Sequence, residues 1–425
     1  MLYSLVKPLA TIALWLFYRR IYISNAQHIP RNKPVVLAAN HPTGFVEPCI
    51  LACYLPEPLH FLARGDLFKQ PFYIRLMRSL NLLPLYRAKD RGLAFVKTNY
   101  ETFDYCFQAL AENKMVLILA EGSAEHEKRL RPLKKGTGRL AFGTLERYNN
   151  LEDVYIIPVG VNYTYADQPR SDVMIDFGKP ILARDYFSKY QQNPNQAIAD
   201  LTEDLREQMA ERIVVIDKKE DEALAEYLLQ LDRTERPRRF PKDSKQPLLY
   251  EKAITDKVNC LQTAIKQQLI HLAKPYFTRL QQLKISDAAL LQKTAVIPAA
   301  LLLLLGLPLF ILGYLLNAAP VLLAKNIADT RVKRIEFYSS VWTAVNIGAY
   351  LLYWLLGLIF LLIFAPKGWL LALVVVPLLG VFSIYYMDYY KKSRIMIRVS
   401  RLTKSEKEEL LQKRQAILDY LHSQQ

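Results

Sequence analysis

Short apolar runs alternate with segments of helical periodicity between about residues 30 and 200. The apolar runs are rich in β-branched residues, end at turn residues, and cover 35–38, 115–120, 154–161 and 173–177. Helical patterns lie between them, at 94–110 and 139–148. Strands that alternate with helices predict an α/β domain with a mainly parallel sheet flanked by helices.

Three long apolar runs follow in the C-terminal part of the chain, at 297–323, 341–364 and 369–386. Their length and composition predict membrane segments. Lysines and arginines after the first and third runs place residues 325–340 and the C-terminal tail in the cytoplasm by the positive-inside rule. Glycines and prolines interrupt the first run, so we predict a re-entrant hairpin there, with a single crossing as the alternative. A hairpin keeps the α/β domain on the cytoplasmic face.

The N-terminus and the remaining segments complete the predicted domain organisation. Residues 1–25 hold an apolar stretch shorter than the ~20 residues of a spanning helix, which predicts an interfacial membrane helix or, alternatively, a buried core helix. The predicted α/β domain covers 26–205, and a charged helical region with a basic loop covers 206–294. The membrane region, made of the hairpin and two transmembrane helices, covers 295–390, and a cytoplasmic tail helix covers 391–425.

Charge and cysteine content narrow the function classes. The net charge of +16 suits an anionic membrane surface, a phosphorylated substrate or nucleic acid. Because many basic residues flank the apolar runs, we expect membrane lipids as partners and no nucleic acid. Four cysteines in 425 residues exclude a disulfide framework, and we expect all four to be buried small hydrophobes.

The turn after the first predicted strand carries the candidate chemistry. Residues 39–48 read Ala-Asn-His-Pro-Thr-Gly-Phe-Val-Glu-Pro, which puts His41 just beyond the strand and Glu47 six residues later. Ligands of α/β proteins bind at the carboxyl ends of the strands. A histidine whose tautomer is fixed by a carboxylate can act as a general base toward an alcohol, although such a pair can also be purely structural.

Three further blocks share this pattern of polar residues at the end of an apolar run. They are residues 81–90, residues 115–139 and residues 156–163. Their candidate site residues are Arg87 in the first, Glu121, Gly122, Ser123, Arg129, Arg131 and Lys135 in the second, and Pro158 in the third. Guanidinium groups in such loops are suited to phosphate, which they bind bidentately.

The four blocks, in this order, resemble the glycerolipid (lysophospholipid) acyltransferase family over about residues 30–200. The resemblance implies transfer of a fatty acyl group from acyl-CoA or acyl-carrier protein to a hydroxyl of a glycerol-phosphate acceptor in phospholipid biosynthesis. The expected acceptor is 1-acyl-glycerol-3-phosphate, with glycerol-3-phosphate or dihydroxyacetone phosphate as the alternative. Neither a metal nor another cofactor is expected.

The resemblance also implies individual roles. His41 corresponds to the catalytic base, Glu47 to its carboxylate and Arg87 to a phosphate-binding arginine. Glu121 and Gly122 correspond to an acceptor-binding pair, and Pro158 to the proline of the last block.

Two departures from the family pattern stand out. Five residues, rather than the commoner four, separate the histidine from its carboxylate, and Ala124 replaces an arginine. We expect Arg129, Arg131 or Lys135 to supply the missing cation. The departures leave open a second class of protein, a membrane scaffold or transporter with an inactive acyltransferase-like domain.

Overall fold

The structure is a computed structural model that describes residues 2–65, 70–85, 99–236, 239–292 and 296–424. The chain divides into two compact units. The first contains residues 1–214, 240–248 and 327–347, and the second contains residues 215–239, 249–326 and 348–425.

The first unit is built on a mainly parallel sheet with helices, as the sequence predicts. Among the described residues the strands are β1 (Arg20–Ser24), β2 (Val35–Ala39), β3 (Leu59–Arg64), β4 (Leu82–Leu85), β5 (Met115–Leu119), β6 (Tyr155–Tyr163), β7 (Asp172–Phe177) and β8 (Ile181–Leu182). Their spatial order is β1-β7-β6-β2-β5-β3-β4, with β8 paired to β6. The pairs β6–β7 and β6–β8 are antiparallel, and the other strand pairs are parallel.

Strand β2 lies at the centre of the sheet and is buried on both faces. Strands β5 and β6 pair with it on either side, and all five of its residues are 0% exposed. Apolar side chains that alternate between two covered faces explain why this strand is a continuous apolar run rather than an alternating one. The register sets Ala39 opposite Leu119 of β5, so the two strands end at the same edge of the sheet.

Helices of the first unit connect and cover the strands. They are α1 (Leu2–Phe17), α2 (Val46–Tyr54), α3 (Pro71–Ser79), α4 (Asn99–Ala111), α5 (Gly136–Arg147), α6 (Phe187–Gln192) and α7 (Pro194–Ala210). The helix predicted within residues 1–25 ends at Phe17, and Arg20–Ser24 is a strand that the prediction missed. Arg20, the second of two arginines after the apolar stretch, therefore begins the edge strand β1, which pairs in parallel with β7.

Helix α1 has one packed side and one exposed apolar side. Leu14 is buried, whereas Leu5, Leu9, Ile12 and Trp15 are 41–66% exposed. An apolar surface of this kind is what an interfacial membrane helix presents to lipid, so the prediction of membrane contact stands as a proposal.

The second unit is helical throughout its described residues. Its shorter helices are α8 (Glu222–Glu235), α9 (Gln246–Cys260), α10 (Thr263–Leu283), α11 (Asp287–Leu290) and, at the C-terminus, α15 (Lys404–His422). Part of the positive charge of the predicted basic loop is neutralised, because Arg233 and Arg236 both donate to the buried carboxylate of Glu251. Cys260 is exposed, which contradicts the expectation that all four cysteines are buried.

Within the described part of the chain, three helices are long and apolar enough to cross a membrane: α12 (Val296–Arg331), α13 (Tyr338–Phe364) and α14 (Ala372–Ser400). Helix α14 continues past residue 390, so the tail helix begins at Lys404 rather than at 391. Helix α12 is continuous, and the prediction of a re-entrant hairpin at 297–323 is therefore wrong.

Close packing explains the glycines that suggested a hairpin. A Cβ on Gly313 would lie 2.4 Å from the Leu379 carbonyl oxygen, so this glycine admits α14 at close range. Small residues in membrane helices commonly serve this purpose. Pro320 leaves the carbonyl of Leu316 without its helical donor, and the Tyr353 hydroxyl donates to that carbonyl at 2.7 Å.

Candidate active site

His41 is held directly at the end of the central strand. Its neighbour Asn40 extends the pairing of β2 with β6 through its side chain. The Asn40 amide donates to the Val161 carbonyl at 2.9 Å and accepts the Val161 N–H at 2.7 Å. Asn40 is 4% exposed, so this side chain replaces backbone hydrogen bonds where the strand stops. The sequence analysis did not assign it a role.

Glu47 lies in the first turn of α2 and is fully buried beneath the His41 turn. Thr43 binds it twice. The Thr43 N–H donates to Glu47 Oε1, and the Thr43 hydroxyl donates to Oε2 at 2.8 Å. The same hydroxyl accepts the Val46 N–H at 3.2 Å and thereby pairs one of the free amides at the start of α2. The added residue between the histidine and its carboxylate is thus accommodated in a hydrogen-bonded turn.

The imidazole of His41 faces this carboxylate. Nδ1 of His41 is 3.7 Å from Oε2 of Glu47, and the His41 side chain is 11% exposed. Nδ1 has no hydrogen-bond partner among the described residues, although it is buried. The distance exceeds that of a hydrogen bond, but catalytic hydrogen bonds are often long before substrate binds. The arrangement aims Nδ1 at the carboxylate and leaves Nε2 as the nitrogen for a substrate proton.

Glu121 follows β5 and contacts the turn that follows β2. Its Oε2 accepts the backbone N–H of His41 at 2.9 Å, and its Oε1 accepts the backbone N–H of Arg131 at 3.0 Å. The Arg131 guanidinium donates to Oε2 at 2.8 Å. Both oxygens of this 4%-exposed carboxylate are therefore occupied by protein donors. We propose that Glu121 positions His41, in addition to any contact with an acceptor.

Arg131 also fixes the loop between β5 and α5. Its guanidinium donates to the Ser123 hydroxyl at 2.9 Å and to the Ser123 carbonyl. Gly122, between Glu121 and Ser123, has a φ of 73°, a conformation that favours glycine. Of the predicted cations, Arg131 is thus committed to the Glu121–Ser123 loop, and its role in this loop could not be recognised from the sequence.

The other predicted residues occupy different positions. Lys135 is exposed and directly precedes α5, whereas Arg129 is partly buried in the preceding loop. Pro158 is buried inside β6 opposite Ala38, where its carbonyl accepts the Gly178 N–H at 2.8 Å. Pro158 is therefore part of the sheet, beside the strand that precedes the His41 turn. Arg87 lies outside the described residues.

Two buried groups near Glu47 remain uncharged. Burial raises the pKa of the Cys49 thiol to about 12, so it is protonated near neutral pH and is a poor nucleophile. Burial, reinforced by the charge of Glu47, raises the pKa of Tyr163 well above its ordinary value. We therefore propose His41 and Glu47 as the acid–base pair of this site, because the geometry suits deprotonation of a hydroxyl by His41.

Comparison with known proteins finds a family model that matches the part of the chain that contains this site. The family model described as Acyltransferase matches residues 20–162, which include His41, Glu47, Glu121 and Pro158. The match confirms, over residues 20–162, the family resemblance that the motifs predicted.

Two named enzymes are similar to parts of the chain. Glycerol-3-phosphate O-acyltransferase 1 of Saccharomyces cerevisiae is 33% identical over 85 residues, which are 20% of this chain and 11% of that protein. The 1-acyl-sn-glycerol-3-phosphate acyltransferase of Borreliella burgdorferi is 22% identical over 142 residues, which are 33% of this chain and 54% of that protein. The chain thus spans about half or less of the length of these relatives.

One solved structure is similar to part of this chain. The crystal structure of the 1-acyl-sn-glycerophosphate (LPA) acyltransferase PlsC from Thermotoga maritima aligns with a TM-score of 0.35 and 16% sequence identity. The alignment covers 49% of this chain and 79% of that structure.

Proposed function

We propose that the protein is a membrane-bound O-acyltransferase of glycerolipid synthesis. It transfers a fatty acyl group from acyl-CoA or acyl-carrier protein to a hydroxyl of a glycerol-phosphate acceptor. The observation that carries the proposal is the His41–Glu47 pair at the carboxyl end of a central parallel strand, inside a domain that matches the acyltransferase family. No redox chemistry is required by this reaction.

His41 acts as the general base in this proposal. Nε2 takes the proton of the acceptor hydroxyl while the hydroxyl oxygen attacks the thioester carbonyl. The C–S bond then breaks, and the departing thiolate of the donor takes the proton back from the His41 imidazolium. The carboxylate of Glu47 stabilises the imidazolium that forms on His41. Because Glu47 is fully buried, solvent screens its interaction with the imidazolium only weakly.

The acceptor is a phosphorylated glycerol, bound through cations near this site. Arg87 keeps the phosphate-binding role implied by the family resemblance, and the exposed Lys135 is available beside the start of α5. We expect 1-acyl-glycerol-3-phosphate as acceptor. Glycerol-3-phosphate is the second candidate. Its support is the similarity of short segments of the chain to glycerol-3-phosphate O-acyltransferases 1 and 2 of Saccharomyces cerevisiae, which are 33% and 28% identical to it there.

We further propose that the catalytic domain lies on the cytoplasmic face of a membrane. The loop between α12 and α13 contains Lys333 and Arg334, and the Arg334 side chain hydrogen-bonds to the Ala124 carbonyl of the catalytic domain. The domain and this loop are therefore on one side, and the positive-inside rule makes that side cytoplasmic. Because the described residues between 210 and 296 contain no candidate span, this proposal places both ends of α12 on that side and excludes a single crossing by α12. Protease added outside sealed inside-out vesicles should digest residues 99–210, and protection of those residues would contradict the assignment.

The proposed activity is tested with purified full-length protein in detergent. Acyl-CoA and acyl-carrier protein are each offered with 1-acyl-glycerol-3-phosphate, glycerol-3-phosphate, dihydroxyacetone phosphate and glycerol, and products are identified by mass spectrometry. We expect an acylated phosphorylated product and little acylation of glycerol. His41→Ala should lower turnover about 10²–10⁴-fold.

His28→Gln is the matched control for His41→Ala. His28 lies in the same unit, and its ring contacts the Phe177 carbonyl at 3.0 Å, a hydrogen bond that a glutamine amide can replace. Its turnover should match that of the unaltered chain. A membrane scaffold with an inactive domain would give no acyl transfer with any donor–acceptor pair, whereas equal turnover with and without His41 would remove the catalytic assignment.

A further inference from the structure

The segment 334–340, which follows α12 and includes the first residues of α13, lies against the catalytic turn although it is almost 300 residues away in sequence. The backbone N–H of Gly44 donates to the carbonyl of Glu336 at 2.6 Å, and the N–H of Phe45 donates to the Ser340 hydroxyl at 3.1 Å. Ser340 is 0% exposed and Glu336 is 8% exposed. These two amides precede α2, where backbone donors have no helical partner, so the segment supplies the acceptors they require.

The same segment reaches the loop that follows β5. The Arg334 guanidinium donates to the Ala124 carbonyl at 3.0 Å and to the Glu125 carboxylate at 3.3 Å. In return, the His126 backbone hydrogen-bonds to the Glu336 carboxylate. Segment 334–340 thus contacts both loops that carry the site, the His41–Glu47 turn and the Glu121–His126 loop.

A third contact is steric. The ring of Phe337 covers the Cα of Gly44 so closely that a Cβ at this position would lie 2.5 Å from the ring. Gly44 does not have the positive φ that restricts a position to glycine, so its backbone conformation tolerates alanine. The space taken by Phe337, rather than the backbone conformation, is what requires glycine here.

We propose that segment 334–340 is a positioning element of the active site, with Phe337 as its principal residue. By holding the His41–Glu47 turn against the Glu121–His126 loop, it keeps the imidazole aligned with its carboxylate. The helices α12 and α13, which flank the segment, are thereby required for full catalysis and do more than attach the enzyme to lipid. The proposal rests on the acyl-transfer function proposed above.

Three variants of the full-length protein test the steric contact: Gly44→Ala, Phe337→Ala and the double variant. Gly44→Ala should lower kcat by about tenfold or more, with KM changed less than about threefold, because alignment is lost without removal of a substrate contact. The double variant should recover to within about threefold of Phe337→Ala alone, since the added methyl group then fits the vacated space. Leu249→Ala, at an apolar position outside the segment that is 42% exposed, is the control and should leave kcat unchanged.

Hydrogen–deuterium exchange supplies a readout that does not depend on activity. Phe337→Ala should speed exchange in peptides covering 41–47 and 121–126, while Leu249→Ala should not. If the unaltered chain transfers no acyl group, the proposed function fails, but exchange still tests whether the segment holds the two loops. Unchanged exchange in Phe337→Ala, or a double variant as impaired as Gly44→Ala, would overturn the proposal.

Discussion

Substitution of Glu47 by glutamine tests how the buried carboxylate acts on His41. Glutamine preserves the shape of the side chain but removes its charge. Its amide group also donates hydrogen bonds, so it can pair with Nδ1 and move the imidazole proton to Nε2. Both changes oppose proton abstraction by Nε2, because the imidazolium loses its counter-charge and the base is held in the wrong tautomer.

The size of the effect follows from the distance between the two groups. At 3.7 Å between Nδ1 and Oε2, and an effective dielectric constant of about 20, Coulomb's law gives about 4.5 kcal/mol for the fully formed ion pair. A transition state with half a charge on the ring gains about 2 kcal/mol. The expected loss in kcat is therefore about 30-fold to 2,000-fold.

The assay is steady-state acyl transfer by Glu47→Gln, His41→Ala and the combined variant, with thermal unfolding as a check on folding. The acceptor KM should change little, since Glu47 is fully buried and accepts hydrogen bonds from Thr43. The combined variant should be no slower than His41→Ala alone, because Glu47 acts through the imidazole. Multiplicative losses in the combined variant, or a kcat above half that of the unaltered chain in Glu47→Gln, would refute the assignment.

Two further predictions concern stability. Tyr353→Phe should destabilise the apolar helices by about 0.6–2 kcal/mol, measured as a lower unfolding midpoint in detergent, because it removes the donor to the Leu316 carbonyl. The same change should cost less in Pro320→Ala, where the helix supplies its own N–H; equal costs would contradict this account. Burial, together with Lys114, lowers the pKa of His60, so the unfolded chain binds the extra proton first and stability should fall as pH drops below about 6.5. His60→Gln should narrow the difference in unfolding midpoint between pH 7.5 and pH 5.5, and an undiminished difference would assign the acid sensitivity to other groups.

The local pattern of apolar and polar residues was sufficient to predict much of the sheet. The strands around 35–38, 115–120, 154–161 and 173–177 were predicted because buried strands appear as short apolar runs. Strand β1 was missed because Arg20–Ser24 directly follows an apolar helix, and five residues carry too little periodicity to be distinguished from its end. The hairpin at 297–323 was a different error, since glycine and proline were taken as breaks where the helix uses Gly313 for close packing.

The candidate site shows the same division between local and distant information. His41 and Glu121 could be predicted because each follows an apolar run at the end of a strand, and Glu47 because it is the carboxylate six residues after His41. The pairing of Arg131 with Glu121 depends on the path of a ten-residue loop, and the contact of Phe337 with Gly44 depends on tertiary structure. Neither loop path nor long-range packing leaves a periodic signal in the sequence.

The side chain of Asn40 ties the histidine to the most protected part of the molecule. Its hydrogen bonds bind the residue before His41 to Val161, inside the central strand pair, without an intervening flexible linker. The Val161 amide proton should therefore be among the slowest to exchange with solvent, and its rate reports directly on whether the catalytic ring is still anchored. Local breathing at the surface would leave this anchor at Asn40 intact, and the anchor itself would be lost only when the sheet comes apart.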